Sequence, residues 1–249
     1  MTISDKIKSS INSYISRNHI DRLDIKAALI DMDGVLYDSM KYHTLAWHKM
    51  MSEVGIECSR EEFYLYEGMT GKATINLLFQ RKYGRIAGEE EWRKLYEKKA
   101  EYFVEIGKKE VMSGANAMLQ NLIDCGIDRV LVTGSAQNSL IKYIDSDFPG
   151  AFEPQKRITA LDVTKGKPDP EPYLKGLEKA GVCHSNAIVI ENAPLGAQAG
   201  HAAGCFTIGI TTGPLSESDL YNAGADIVFD SMQSFADNLH LLLTLSQND

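Results

Sequence analysis

Ala28-Leu29-Ile30-Asp31-Met32-Asp33-Gly34-Val35-Leu36 is the stretch on which the reading of this chain turns. Its apolar start reads as a short buried strand over residues 26–31. Two aspartates, one residue apart, close the run, and a glycine turn follows at once. Side chains on a strand alternate faces, but where a strand ends the backbone curls, and both carboxylates can converge on one pocket. The carboxyl end of a parallel strand is where open α/β sheets bind ligands. Carboxylate oxygens suit a hard cation such as Mg²⁺. One carboxylate can attack an electrophile while the other moves protons. Taken alone, the fragment also fits a strand followed by an acidic turn, so the decision rests with the rest of the chain.

The 249 residues suffice for one large domain or two small ones with a sizeable core. A 44% hydrophobic and 24% charged composition is that of a soluble globular protein. The net charge of −8 argues against general nucleic-acid or anionic-membrane binding, either of which would want a basic surface. An anionic substrate would have to be met by a local cation or a metal. Cys58, Cys125, Cys183 and Cys205 are scattered, with no Cys-x-x-Cys pair. They read as buried thiols in a reducing compartment rather than a zinc site or a disulfide frame. The N-terminus lacks a secretory apolar core, and no apolar run is long enough to span a bilayer, so the expected location is the cytoplasm.

Ile3, Ile7, Ile11 and Ile15 recur every four residues and predict an amphipathic helix over 4–18, with Ser4 as its N-cap. From 40 to 112 strand signals almost vanish, and the Glu-, Lys-, Met- and Leu-rich sequence predicts several helices. After Gly114 strands and helices alternate. Strands are predicted at 129–133, 187–191, 205–210 and 226–229, with helices near 115–125, 135–146, 170–180, 194–203 and 231–245. That alternation implies a parallel sheet with right-handed crossovers. The fold class is therefore α/β, a Rossmann-like core with an all-helical unit inserted after its first strand. The expected division is a helical appendage at 1–21, a core at 22–39 and 113–249, and an inserted cap at 40–112.

Further strand ends carry polar residues. Thr133-Gly134-Ser135 offers hydroxyls, a glycine and a following helix N-terminus, which suits an oxyanion and equally suits a capping box. Lys165-Gly166-Lys167-Pro168-Asp169-Pro170 pins Lys167 in a loop as a point charge for a phosphoryl oxygen. Glu191-Asn192 closes the strand 187–191, where both side chains can serve a metal or Asn192 can cap the next helix.

In this order and spacing, Asp-x-Asp-Gly-Val, Val-Thr-Gly-Ser, Gly-Lys-Pro-x-Pro and an acidic pair at a strand end resemble the four motifs of the haloacid dehalogenase superfamily over about residues 26–230. The resemblance implies that Asp31 is the nucleophile, forming an aspartyl-phosphate, and that Asp33 protonates the leaving group and later activates water. It implies that Thr133 and Lys167 hold the phosphoryl group, and that Mg²⁺ is held by Asp31, the backbone carbonyl of Asp33, Glu191 and Asn192. Asn192 departs from the commoner Glu-Asp pair and brings no charge. Asp33 itself favours phosphoryl chemistry, because a halide leaving group needs no proton.

The cap start, Asp38 to Trp47, is similar to the branch containing β-phosphoglucomutase, and there the resemblance implies that His43 supports the acid/base aspartate. The cap loop Tyr66-Glu67-Gly68-Met69-Thr70-Gly71-Lys72 has Gly71 where the mutases of that branch carry a phosphate-binding arginine. Together with Glu191-Asn192-Ala-Pro-Leu-Gly, this loop also resembles a bacterial pyrophosphatase of the superfamily, in which the cap glutamate, Glu67 here, reaches the metal on closure. Substrate-binding residues are thus expected at His43, Glu67, Thr70, Gly71, Lys72, Gly134 and Ser135. The expected activity is Mg²⁺-dependent hydrolysis of a small phosphorylated substrate by a monomer, pyrophosphate first. The alternatives are a phosphomutase or a phosphatase of small sugar phosphates.

Overall fold

The structure, a computed structural model, describes residues 2–136 and 138–247. Six parallel strands form its centre: β1 (Ala27–Ile30), β2 (Asp128–Val132), β3 (Arg157–Ile158), β4 (Ala187–Glu191), β5 (Phe206–Ile210) and β6 (Ile227–Phe229), in the order β3-β2-β1-β4-β5-β6. Strand order reverses between β1 and β4, and that switch point is where an open α/β sheet forms a crevice. Register fixes what lines it. Ile30 lies opposite Leu131 of β2 and Ile190 of β4, so Asp31, Val132 and Glu191 follow side by side at the carboxyl edge.

Both sheet faces are covered, as a parallel sheet requires. Ala28, Ile30, Leu131, Ile188 and Ile190 pack with α1 (Ile3–Asn18), α6 (Ala115–Asp124) and α12 (Met232–Gln247). Their alternates Ala27, Leu29, Val130, Val132 and Val189 pack with α9 (Glu171–Ala180) and α10 (Pro194–Ala202). Between β1 and β2 the chain leaves the sheet as α2 (Met40–Glu53), α3 (Glu62–Leu65), α4 (Gly71–Tyr83) and α5 (Glu89–Ile106). Its two connections to the sheet are tied together: the Asp38 amide donates to the Glu110 carbonyl at 2.9 Å, and Lys41 bridges both carboxylates.

Four local readings need correction. The helix 3–18 is capped by Thr2, not Ser4, because Thr2 forms a reciprocal capping box with Asp5. That helix buries Ile7, Ile11 and Tyr14, and Tyr14 donates to the Gly204 carbonyl at 2.8 Å, so it belongs to the core. The helix expected over 135–146 is two short ones, α7 (Asn138–Ile141) and α8 (Ile144–Asp147). The edge strand β3 has only two residues, too few to leave an apolar alternation, and went unpredicted, as did the six-residue α11 (Glu217–Asn222).

Candidate active site

The register brings Asp31 and Glu191 to the crevice, and Lys167, from the loop before α9, is inserted between them. Its ammonium lies 2.5 Å from Asp31 Oδ1, 2.5 Å from Glu191 Oε1 and 3.1 Å from the Val132 carbonyl. Lys167 is 2% exposed, and burial alone would neutralise it; the two carboxylates more than offset that and hold its pKa above the ordinary value. Burial pushes Asp31 upward against the pull of Lys167. The ion pair decides the balance, because a lysine gripped by two carboxylates keeps its charge and so keeps Asp31 a carboxylate.

Glu191 is fully engaged. Oε1 accepts from Lys167 and from the Tyr173 hydroxyl at 2.6 Å, and Oε2 accepts from the backbone amides of Asn192 and Ala193 at 3.1 and 3.4 Å. Its oxygens therefore fix Lys167 and the β4–α10 turn rather than facing the crevice. Gly196 allows this, since a Cβ there would lie 1.9 Å from Glu191 Oε1.

Asp33 sits in a different network. Ser39 Oγ donates to its Oδ1 at 2.6 Å, and His43 Nε2 lies 3.0 Å from the same oxygen. Lys99 Nζ from α5 reaches His43 Nδ1 at 2.7 Å, and the imidazole stacks on Phe103 at 4.0 Å. Burial raises Asp33, but His43 and Ser39 outweigh it, and its pKa falls below the ordinary carboxylate value. Burial and the neighbouring Lys99 lower that of His43. Burial brings Lys99 down to about 7. Asp33 thus ends a chain of proton-carrying groups, while Asp31 faces a fixed cation. Two carboxylates in such different surroundings can divide nucleophilic and acid/base work.

The cap loop closes over these groups. Glu67 Oε1 accepts from Asn192 Nδ2 at 2.9 Å, and burial holds the Glu67 pKa well above its usual range. Gly34, with φ of +82°, permits the turn after Asp33 and leaves room for Asn192, whose Nδ2 would lie 2.0 Å from a Cβ at that position. Gly134 faces the Gly68 carbonyl, 2.5 Å from where its Cβ would be, and Gly166 faces the Thr70 methyl at 2.7 Å. The cavity between cap loop and core has a free volume of about 70 Å³ and is partly open. Asp31, Asp33, Thr133, Gly134 and Ser135 form its polar wall; Met40, Trp47, Phe63, Tyr66 and Met69 form its apolar one.

Not every expected residue joins them. Thr70 caps α4 through the Ala73 amide at 3.3 Å. Lys72 points outward to Glu89 at 3.1 Å and lies over Trp92. Gly71 lines the cavity, but the Tyr96 ring stands 2.2 Å from where its Cβ would be. Thr133 Oγ1 accepts from the Ser135 amide at 3.0 Å, and its backbone bonds to β3 at Ile158. Sequence reasoning missed Ser39, Tyr96, Lys99 and Tyr173. Lys99 lay in a run of charged helix residues, and only its period relative to Trp92, Tyr96 and Phe103, all on the packed side of α5, set it apart.

Among the described residues, no three His, Cys, Asp or Glu side chains form a ready-made metal cluster. The donors that do converge nonetheless fit a hard cation. Asn192 Oδ1 is buried without a hydrogen-bond partner, beside the Glu67 carboxylate and close to the Asp31 turn. No described helix is long and apolar enough to cross a membrane.

Comparison with known proteins places this geometry. A family model described as haloacid dehalogenase-like hydrolase matches residues 28–210. Hexitol phosphatase A of Escherichia coli is 32% identical over 78% of this chain and 89% of that protein. The β-phosphoglucomutase of Bacillus subtilis is 26% identical over 79% and 88%. A solved structure from Bacteroides vulgatus, described provisionally as a β-phosphoglucomutase, superposes with a TM-score of 0.95 at 44% identity, covering 98% of this chain and all of that one. With its motifs at the carboxyl edge of the sheet and a helical unit closing over them, the chain belongs to the haloacid dehalogenase-like hydrolases, in their β-phosphoglucomutase-like phosphatase branch.

Proposed function

We propose that the protein hydrolyses a small phosphate compound with Mg²⁺, through a phosphoryl group carried on Asp31, and that inorganic pyrophosphate is its preferred substrate. The observation that supports the reading is the Glu67–Asn192 contact beside a small cavity of about 70 Å³. Pyrophosphate suits a chamber of that size better than a hexose phosphate. In this reading Asp31 attacks phosphorus while Lys167 and Thr133 hold the phosphoryl oxygens, and Asp33, ionised at rest, passes to the departing oxygen a proton taken up through His43 and Lys99. Asp33 then takes a proton from the water that cleaves the aspartyl-phosphate. Asp31, the Asp33 carbonyl, Asn192 and Glu67 would hold Mg²⁺. The ion supplies charge neutralisation on the transferring group.

A second reading, hydrolysis of small sugar phosphates, is favoured by the relatives, one of them a hexitol phosphatase and others named β-phosphoglucomutases. Isomerisation itself is disfavoured by Gly71, whose place beside the Tyr96 ring leaves no room for a phosphate-binding side chain. The deciding experiment is phosphate release from pyrophosphate, hexitol and hexose phosphates, phosphoglycolate and nucleotides, with Mg²⁺ and with chelator. A kcat/KM for pyrophosphate at least about tenfold above the others supports the first reading; a preference for a sugar or hexitol phosphate replaces it with the second.

A further inference from the structure

We infer that Tyr173 is a positioning residue for phosphoryl transfer, acting on Lys167 through Glu191. Tyr173 stands in the first turn of α9, two residues after the helix begins, and is 0% exposed. Its hydroxyl donates to Glu191 Oε1 at 2.6 Å, the same oxygen that takes the Lys167 ammonium at 2.5 Å. Its ring lies 5.0 Å from that ammonium.

The need for such a residue follows from the arithmetic of Lys167. An ammonium has three N–H donors, and here they go to Asp31 Oδ1, Glu191 Oε1 and the Val132 carbonyl. When a phosphoryl group enters, Asp31 has to be free to attack. The hydrogen on Asp31 Oδ1 therefore passes to a phosphoryl oxygen while the other two stay. Lys167 pivots on Glu191 and Val132, and the move is productive only if the pivot stays still. The Asn192 and Ala193 amides fix Oε2. Tyr173 fixes Oε1, the oxygen that carries Lys167. By donating to it, Tyr173 also takes up part of its charge, so Glu191 guides Lys167 without competing fully with the phosphoryl group for it.

The inference rests on Asp31 as nucleophile and on Lys167 as phosphoryl ligand, and not on which phosphate compound is used. Tyr173→Phe removes one oxygen and keeps the volume, so thermal melting is expected to show a folded protein. With pyrophosphate and para-nitrophenyl phosphate as substrates in Mg²⁺, kcat is expected to fall at least about tenfold, the size of one hydrogen bond to a charged group, with KM within about twofold. Inhibition by orthovanadate, a mimic of the pentacoordinate phosphorus, is expected to weaken in step with kcat. Placed on a Glu191→Gln background, Tyr173→Phe is expected to add little further loss, because the two side chains act as one unit. An unchanged kcat in Tyr173→Phe, or losses that multiply in the double variant, would overturn the positioning role. Full turnover by Asp31→Asn would instead overturn the chemistry on which it rests, so the two failures are distinguishable.

Discussion

Replacing Lys99 by methionine tests the most unusual charge in the cavity. Lys99 is 3% exposed, its ammonium is ringed by Trp47, Tyr96 and Phe103 at 5.1, 6.0 and 5.4 Å, and its hydrogen-bond partner is a histidine rather than a carboxylate. Burial lowers its pKa from 10.5 to about 7 in the fold. Between those values the unfolded chain binds the proton and the folded chain does not, so stability rises with pH across that window. Above it the lysine is neutral in both states and costs nothing; below about pH 7 the penalty is complete, and the gap of roughly 3.5 units corresponds to about 5 kcal/mol. At pH 9 linkage gives about 2 kcal/mol, and at pH 6 nearly the full amount, a difference of about 3 kcal/mol. Methionine keeps the stem and carries no charge, so Lys99→Met removes that difference. Thermal melting of both proteins between pH 6 and 9 should show the wild type losing roughly 6–12 °C relative to the variant as pH falls. Activity should move the opposite way. Without Lys99 the His43 ring loses the group facing Nδ1, Asp33 is held less firmly, and kcat drops by roughly 10–100-fold. Parallel melting curves across the whole range would show that Lys99 is not buried in the way its surroundings imply.

Asp31→Asn should abolish turnover and leave the melting temperature high, because the amide is isosteric but cannot attack phosphorus; residual turnover near wild type in a phosphate-release assay would remove Asp31 from that role. Asp33→Asn should suffer most on poor leaving groups and less on an activated aryl phosphate, which needs less protonation; equal losses on both would contradict the acid role. Glu67→Ala should lower pyrophosphate turnover by about 10²-fold and weaken the apparent Mg²⁺ dependence while sparing larger phosphomonoesters, readable from Mg²⁺ titrations on both substrate types. β-Glucose 1-phosphate with a bisphosphate primer should give free phosphate or no reaction, and formation of glucose 6-phosphate would reverse the ranking against isomerisation.

Much of this architecture was legible because its signals are local. The apolar tetrapeptide before Asp31 and the runs before Thr133 and Glu191 announced three adjacent strands, and the sheet order brought their ends together. The strand pairing could not be read from spacing, yet any parallel sheet built from these runs sets the polar ends on one edge. What stayed hidden depended on contacts across long stretches of chain. Lys99 meets His43 across 56 residues, and Tyr173 meets Glu191 only after α9 folds back on the sheet. Glu191 looked like a ligand because acidic residues at strand ends often are; its four donors appear only once the turn is built. Gly71 was read from sequence only as the lack of a phosphate-binding arm; that its space is taken by the Tyr96 ring appears only in the fold.

The seam between cap loop and core is made mostly of missing atoms. Gly134 meets the Gly68 carbonyl, Gly166 the Thr70 methyl, and Gly68, at φ of +90°, lies against the Lys167 stem. A seal formed by bare glycine main chain against its neighbours does not depend on which side chains furnish the chamber behind it. Trp47, Phe63, Met69 and Tyr96 can therefore drift, and substrate preference with them, while the lid still shuts. The converse is that a single methyl group at 134 or 166 would wedge the lid ajar and open the site to bulk solvent, whatever the chamber accepted. Within such a family, innovation is expected on the inner wall and immobility along the rim.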